Sequence, residues 1–522
     1  MTKHSQTRMP GLTRRTLLAG SAALGGALML PAQVRAQAAQ PTRGGTLRIT
    51  MPYNPAAIDP MTGRNLPDFN TLYAIYDALI DFDPDTLELK PGLAKSWNFP
   101  DPTTLVLDLN EGIEFHDGTP FNAEAVKFNL DRFINDERSN VKSDLTVVDR
   151  VEVTAPNQVT LKLKIPNAGL PAILSNRVGC IISPASIKAA EGGNVDRNPV
   201  GTGPFKFVEW RDNDVIRVER NPNYWQDGLP YLDAIEFRII NELNTGARAV
   251  TAGEADLALN LAAQQIAVAK RSNDVVAVAT PSLVFYTGSF NYAIPPLNDL
   301  RVRQAMNYAL NREDLNRVLM LGLGEPTSTL FPKNFWATDP ETATFYTHDI
   351  DKAKSLLAEA GFSGGLDIPT WGWPDQASVQ RQELIASQLA EAGIRLKITP
   401  VPPAQAMQSF FIEKRGIAML APQGGLPDPS QIYERLFAGN ALRNAGKVEL
   451  DGFRPLMDAT VNSFEPEARK QAFHQLQRFV IDQALHLPQY TSAGMAIHSP
   501  KVKDFKFGLI TSPKFHRVWM EA

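Results

Sequence analysis

Tyr76 to Arg132 reads YDALIDFDPDTLELKPGLAKSWNFPDPTTLVLDLNEGIEFHDGTPFNAEAVKFNLDR, and this stretch decides the fold. Tyr76 to Leu79 reads as a helix end, followed by Lys90-Pro91-Gly92-Leu93-Ala94 and the pair Ser96-Trp97. Leu105, Leu107 and Leu109 then alternate with Val106 and Asp108, the period-two pattern of a strand with one apolar face. Phe115-His116-Asp117-Gly118 turns the chain, and Thr119-Pro120 is expected to start a new helix through Glu124, Val126, Phe128 and Asn129.

Further strands and helices lie on either side. Leu47 and Ile49 share one face of a strand opened by Gly44-Gly45 and closed by Pro52-Tyr53-Asn54-Pro55. Val159, Leu161, Leu163 and Ile165 alternate with polar residues, as do Ile235, Phe237 and Ile239. Between them, Asn198-Pro199-Val200-Gly201-Thr202-Gly203-Pro204-Phe205 specifies a rigid backbone. No G-x-x-x-x-G-K follows, so this is not a phosphate cradle. The second half turns helical. Asn298 or Asp299 caps a stripe of Val302, Ala305, Met306, Ala309 and Leu310, and Gly361 stops a second helix. A helix through Leu384 and Leu389 runs into the strand Ile394, Leu396, Ile398, the helix-then-strand order of an α/β lobe.

Thr13-Arg14-Arg15-Thr16-Leu17-Leu18 is a twin-arginine pattern, followed by an apolar run to Leu30 and a small-residue exit at Ala36-Gln37-Ala38. The run is shorter than the about 20 residues that span a bilayer. Residues 1–36 are therefore expected to be an export signal and the mature chain a periplasmic protein. The 522 residues carry a formal charge of −4. Without the leader cations Lys3, Arg8, Arg14, Arg15 and Arg35 the balance is 47 Lys+Arg against 56 Asp+Glu. An acidic surface argues against nucleic acid or anionic membrane as partner. The single cysteine, Cys180, stands in an apolar context and reads as buried filler.

No catalytic or metal pattern emerges. The histidines show no H-E-x-x-H and no ligand spacing, so neither metal nor cofactor is expected. His116-Asp117 suits a turn better than a base with its orienting carboxylate, and no G-x-S-x-G elbow occurs.

Leu93 to Arg132, Asn198 to Phe205, Asn221-Pro222-Asn223-Tyr224-Trp225, Asn291 to Leu310 and Asp428-Pro429, taken in order, resemble the family 5 extracellular solute-binding proteins, the peptide- and nickel-type receptors of bacterial ABC importers. The resemblance implies a two-lobed α/β fold that closes on a solute and no enzymatic activity. It implies a first lobe of residues 37–82, 186–280 and 486–522, an inserted small domain of residues 83–185, and a second lobe of residues 281–485. It further implies a small-molecule solute, inner-membrane permease subunits as partners, and a monomer. The alternatives are a secreted hydrolase on the same substrates and an exported chaperone-like binder.

Trp371-Gly372-Trp373-Pro374 reads as a loop whose indoles face a cleft, and Tyr286 and Tyr490 fall on strands that, by resemblance, pass the hinge and face the ligand. Tyr53 and Asn54 end the first strand in a similar way. Peptide receptors of the family carry an aspartate for the ligand amine just before the Asp-Pro turn. Here Gln423-Gly424-Gly425-Leu426-Pro427-Asp428 keeps Asp428, but Gly425 falls at the amine position. The arginine that holds the ligand carboxylate in dipeptide receptors is replaced by Trp371-Gly372-Trp373, with Arg381 already on the following helix. Both charge anchors are thus expected to be missing. The expected ligand is a neutral or modified solute stacked on aromatics: a blocked peptide, an amino-acid conjugate, a glycoside or a metal chelate.

Overall fold

Two long antiparallel strands, Val276–Phe290 and His486–His498, run through the middle of one eleven-stranded sheet. The computed structural model describes residues 40–63 and 66–521. The expected twin-arginine leader lies outside the described residues. Beyond His486–His498 the sheet continues through Leu257–Ala258, Thr46–Met51, Ala234–Ile239, Val215–Arg220 and Phe205–Arg211. Beyond Val276–Phe290 it continues through Ala418–Gln423, Leu366–Gly372 and Ile394–Pro400, and the eleventh strand, Glu325–Pro326, pairs with His486–His498 off this path.

The two central strands therefore serve both halves of the molecule, and their pairing breaks where one half gives way to the other. Register runs from Val276↔His498 to Pro281↔Ala493 and resumes at Phe285↔Thr491. Ser282, Leu283 and Val284 stand there against Ser492 alone, an irregularity that bends the strand. The freed polar groups are all used. Ser282 Oγ donates to Ser492 O (3.0 Å), Val284 N to Ser282 Oγ (3.3 Å), and Leu283 N to Leu509 O (2.8 Å).

A second body stands on the 76–132 block. Ala94–Asp101, Thr104–Leu109, Gln158–Leu163 and Val148–Ala155 form a four-stranded antiparallel sheet. The expected apolar face of Leu105, Leu107 and Leu109 is fully buried, and it packs with Val159, Leu161, Val126, Leu130 and Phe133 in a core of its own. The covering helix is Ala123–Asn135, and Asn122 caps it by accepting from Ala125 N (3.0 Å).

Local expectations need three corrections. The helix ends at Ile75, and Tyr76 is extended because the following backbone is drawn into pairing: Leu79 N donates to Gly179 O and Leu93 N to Ala78 O. Pro120 starts no helix, since Phe121 N pairs with Ile113 O and Asn122 is the better cap. The strand after Gln158 stops at Leu163, before Pro166 removes a donor, and leaves Ile165 55% exposed. Elsewhere the local rules hold: Asp299 caps Leu300–Ala309, and Gly361 takes the left-handed conformation (φ 88°) just past Ile350–Glu359. The rigid 198–205 segment also has a physical cause. A Cβ on Gly201 or Gly203 would stand 2.1 or 2.6 Å from the Ile75 carbonyl oxygen.

Candidate ligand-binding site

Just past the register break, Tyr286 and Tyr490 are direct partners on the two central strands. Their rings lie 4.8 Å apart at 33°, a tilted aromatic pair. Arg381, from the helix Gln376–Glu391, lays its guanidinium over the Tyr286 ring at 4.6 Å. Arg381 is 4% exposed, Nη2 donates to Ser378 Oγ (3.2 Å), and its buried Nε has no partner. Among the described residues no carboxylate pairs with it. Burial pushes the Tyr490 phenol up, Tyr286 adds to the shift, and Arg381 opposes it. Two ring faces and a cation with spare donors suit a flat or carboxylate-bearing solute.

The sequence reading expects no cation here, and the structure places one beside the tyrosine pair. Arg381 does stand on the helix, but within its second turn, and Asp375 at the cap aims that turn at the central strands. The signal was an arginine among the otherwise uncharged residues of the helix's early turns; helix placement alone was no reason to discount it.

The residues around the Asp-Pro turn divide. Asp428 is fully buried and committed: it accepts from Ser430 N (3.0 Å) as cap of Pro429–Phe437 and pairs with Arg469 Nη2 at 2.8 Å. Gly425 cannot carry a ligand-binding side chain. A Cβ there would stand 2.2 Å from Leu283 Cβ, so the turn is glycine because it lies flat against the register break. Gln423 ends the strand Ala418–Gln423 at 2% exposure, with Nε2 unpartnered.

Trp371 and Gly372 are not a loop; they end the strand Leu366–Gly372, which pairs in parallel with Ile394–Pro400. The alternation of Leu366, Ile368 and Thr370 carried that strand, and the Pro369 within it masked the pattern. Trp371 donates its indole N–H to Arg415 O (2.6 Å), whereas Trp373, in the turn beyond, buries its indole nitrogen without a partner. Asn54 is held by the 210–213 loop, accepting from Trp210 Nε1 and Asn213 N at 3.2 Å each, and Tyr53 beside it is 58% exposed. The structure thus brings Tyr286, Tyr490 and Gln423 onto neighbouring strands and ties Asn54, Asp428 and Trp371 into local contacts.

His116 and Asp117 are occupied by structure. His116 Nε2 sits 2.9 Å from Gly203 O, with burial holding the imidazole down at about 4, and Asp117 accepts from Ser183 and Thr119. Among the described residues no cluster of three or more His, Cys, Asp or Glu is placed to hold a metal, and no helix is long and apolar enough to cross a membrane.

Comparison with known proteins agrees with this architecture. Residues 88–444 match the model of the bacterial extracellular solute-binding proteins, family 5 middle. The chain is 31% identical over 372 residues to the glutathione-binding protein GsiB of Pectobacterium atrosepticum, covering 69% of this chain and 70% of that one. The periplasmic binding protein DppA from Helicobacter pylori, in complex with peptide STSA, superposes with a TM-score of 0.81 at 24% identity, covering 92% and 99% of the two chains. NikA from Brucella suis, in complex with Fe(III)-EDTA, gives 0.81 at 23% identity, covering 91% and 100%. The two-lobed fold read from the sequence is the fold these structures share. The relatives are binding proteins. The chain belongs to the family 5 extracellular solute-binding proteins, the two-lobed periplasmic receptors that deliver solutes to bacterial ABC importers.

Proposed function

We propose that this receptor captures a peptide-like solute with a free carboxylate, and that Arg381 receives that carboxylate against the Tyr286–Tyr490 pair. The observation that carries the reading is the buried Arg381 guanidinium with an unpartnered Nε beside two paired rings on the central strands. A buried cation without a partner is costly, and a hydrogen bond to a charged group is worth about 1.5–3 kcal/mol. A solute carboxylate supplies that bond. The relatives' own ligands, glutathione and the peptide STSA, both carry carboxylates. Gln423, with a buried unpartnered N–H, stands opposite Phe285 on the neighbouring strand.

In this reading residues 37–82, 186–280 and 486–522 act as the first lobe, 83–185 as the inserted small domain and 281–485 as the second lobe. They rotate about the break at Ser282–Val284 and Ser492. The mature chain leaves by the twin-arginine route, works as a monomer, hands its solute to permease subunits and turns nothing over.

Small-angle scattering and thermal shift on stripped mature protein test this with free di- to tetrapeptides and their C-terminal amides. A free peptide at 100 times its dissociation constant should raise stability by about 2.7 kcal/mol and compact the particle. Amidation should abolish both effects. Equal binding of amides and acids, or hydrolysis of any peptide, overturns the reading.

A further inference from the structure

One strand over from Tyr286, two further arginines stand without an ion pair among the described residues. Gln423 pairs with Phe285 and Pro422 with Tyr286, so the end of Ala418–Gln423 directly flanks the aromatic junction. Two guanidiniums converge on its last residues. Arg443 Nη1 donates to Gln423 Oε1 (2.6 Å), and Arg435 Nη2, from the helix Pro429–Phe437, donates to Gly424 O (3.2 Å). Consecutive α-carbons are about 3.8 Å apart, so the two cations are anchored a single residue apart.

The acceptors nearby are already taken. The Arg443 bond uses the Gln423 carbonyl oxygen and leaves Gln423 Nε2 facing no acceptor, while Arg435 Nε is also buried without one. Asp428 is committed to Arg469. Asp144, on the small body, lies 3.9 Å from Arg177 and accepts from Gln431 Nε2 (3.2 Å). Neither Arg435 nor Arg443 forms an ion pair among the described residues. Burial and then neighbouring Arg443 push Arg435 down to about 10, with Asp144 opposing, and burial also lowers Arg443. Two half-buried like charges and two idle N–H donors are an arrangement that an anion completes.

We infer that Arg435, Arg443 and the Gln423 amide form a second anion subsite, which takes a side-chain carboxylate of the solute. The inference rests on the peptide-like reading above and adds that the preferred solute is acidic, with one carboxylate at Arg381 and another at this arginine pair. Gln431 Nε2 meets Asp144 at 3.2 Å beside the pair, and the solute's second carboxylate would offset the repulsion between Arg435 and Arg443.

Isothermal titration calorimetry with three acidic tripeptides, Glu-Ala-Ala, Ala-Glu-Ala and Ala-Ala-Glu, each against its Gln counterpart, tests it. The wild type should prefer at least one Glu peptide over its Gln counterpart by tenfold or more. Arg443→Gln and Arg435→Gln should each cut that preference below threefold, with an unchanged melting temperature reporting an intact fold. Binding without a Glu preference, or a preference that survives in both variants, overturns the subsite and leaves the receptor reading standing. If no peptide binds at all, the peptide-like reading falls and this inference falls with it.

Discussion

Arg469 and Arg381 are both buried in the second half of the chain, yet they belong to opposite kinds of site. Arg469 pairs with Asp428, donates to Thr460 O (2.8 Å) and packs over Phe473. Arg303 and Arg312, also buried, spend their N–H groups on carbonyls of Leu297, Gln483, Asn307 and Pro488. Arg381 has only hydroxyl partners, Ser378 and Tyr490, with an orphaned Nε and a ring. Burial alone does not mark function; what separates the two arginines is whether the fold has already satisfied the charge. The saturated ones join elements, and the unsaturated one lies beside the Tyr286–Tyr490 pair, where the proposed reading puts the solute.

The comparison predicts where mutation damages the fold and where it damages binding. Asp428→Ala should be the most destructive change, because it strands Arg469 and removes a helix cap. Breaking a buried pair costs about 3–5 kcal/mol, and a lost cap about 1 more. Urea unfolding should show that loss; a variant within 1 kcal/mol of wild type would mean that Asp428 is not the structural anchor described here.

His486 sharpens the same contrast by pH. It begins the second central strand at 4% exposure, with Nδ1 3.0 Å from Thr287 Oγ1, and burial followed by the charge of Arg312 pushes it down to about 3. The folded imidazole thus resists protonation more than the unfolded one, whose pKa is about 6.5. Its contribution is complete above about pH 6.5 and is lost as pH falls towards the folded value, amounting to roughly 3 kcal/mol by pH 4. Melting curves from pH 7 to 4 should be steeper for wild type than for His486→Gln. Parallel curves would assign the acid sensitivity elsewhere.

Arg381→Gln should do the reverse of Asp428→Ala. Stability should change by less than about 1 kcal/mol or rise, since an uncompensated buried charge is removed. Affinity for a carboxylate-bearing peptide should fall about 10- to 100-fold, matching the worth of a charged hydrogen bond. Unfolding and calorimetry on one preparation separate the two effects. The smallest change is Trp371→Phe, which removes the indole bond to Arg415 O. About 1 kcal/mol of stability should go, with peptide affinity held within twofold; a larger drop in affinity would return Trp371 to the cleft.

Much of the scaffold was readable in advance. The alternation at Leu105, Leu107 and Leu109, the strand at Ile235, Phe237 and Ile239, the cap at Asp299 and the stop at Gly361 are short-range patterns, and they stand as strands, cap and stop in the structure. The ligand wall was readable only in part. Tyr286 and Tyr490 were expected to face a solute, but their pairing depends on a register shared by segments about 200 residues apart.

The sequence by itself determined the class of molecule and the order of its elements, because period, caps and turn residues act over a few positions along the chain. Only the tertiary structure decided which charges are free. Asp428 is spent because Arg469 arrives from a helix 41 residues away, Gly425 is closed off because Leu283 lies against it, and Arg381 stays open because no acid reaches it. A side chain's availability depends on partners brought together by folding, and spacing along the chain carries no record of them.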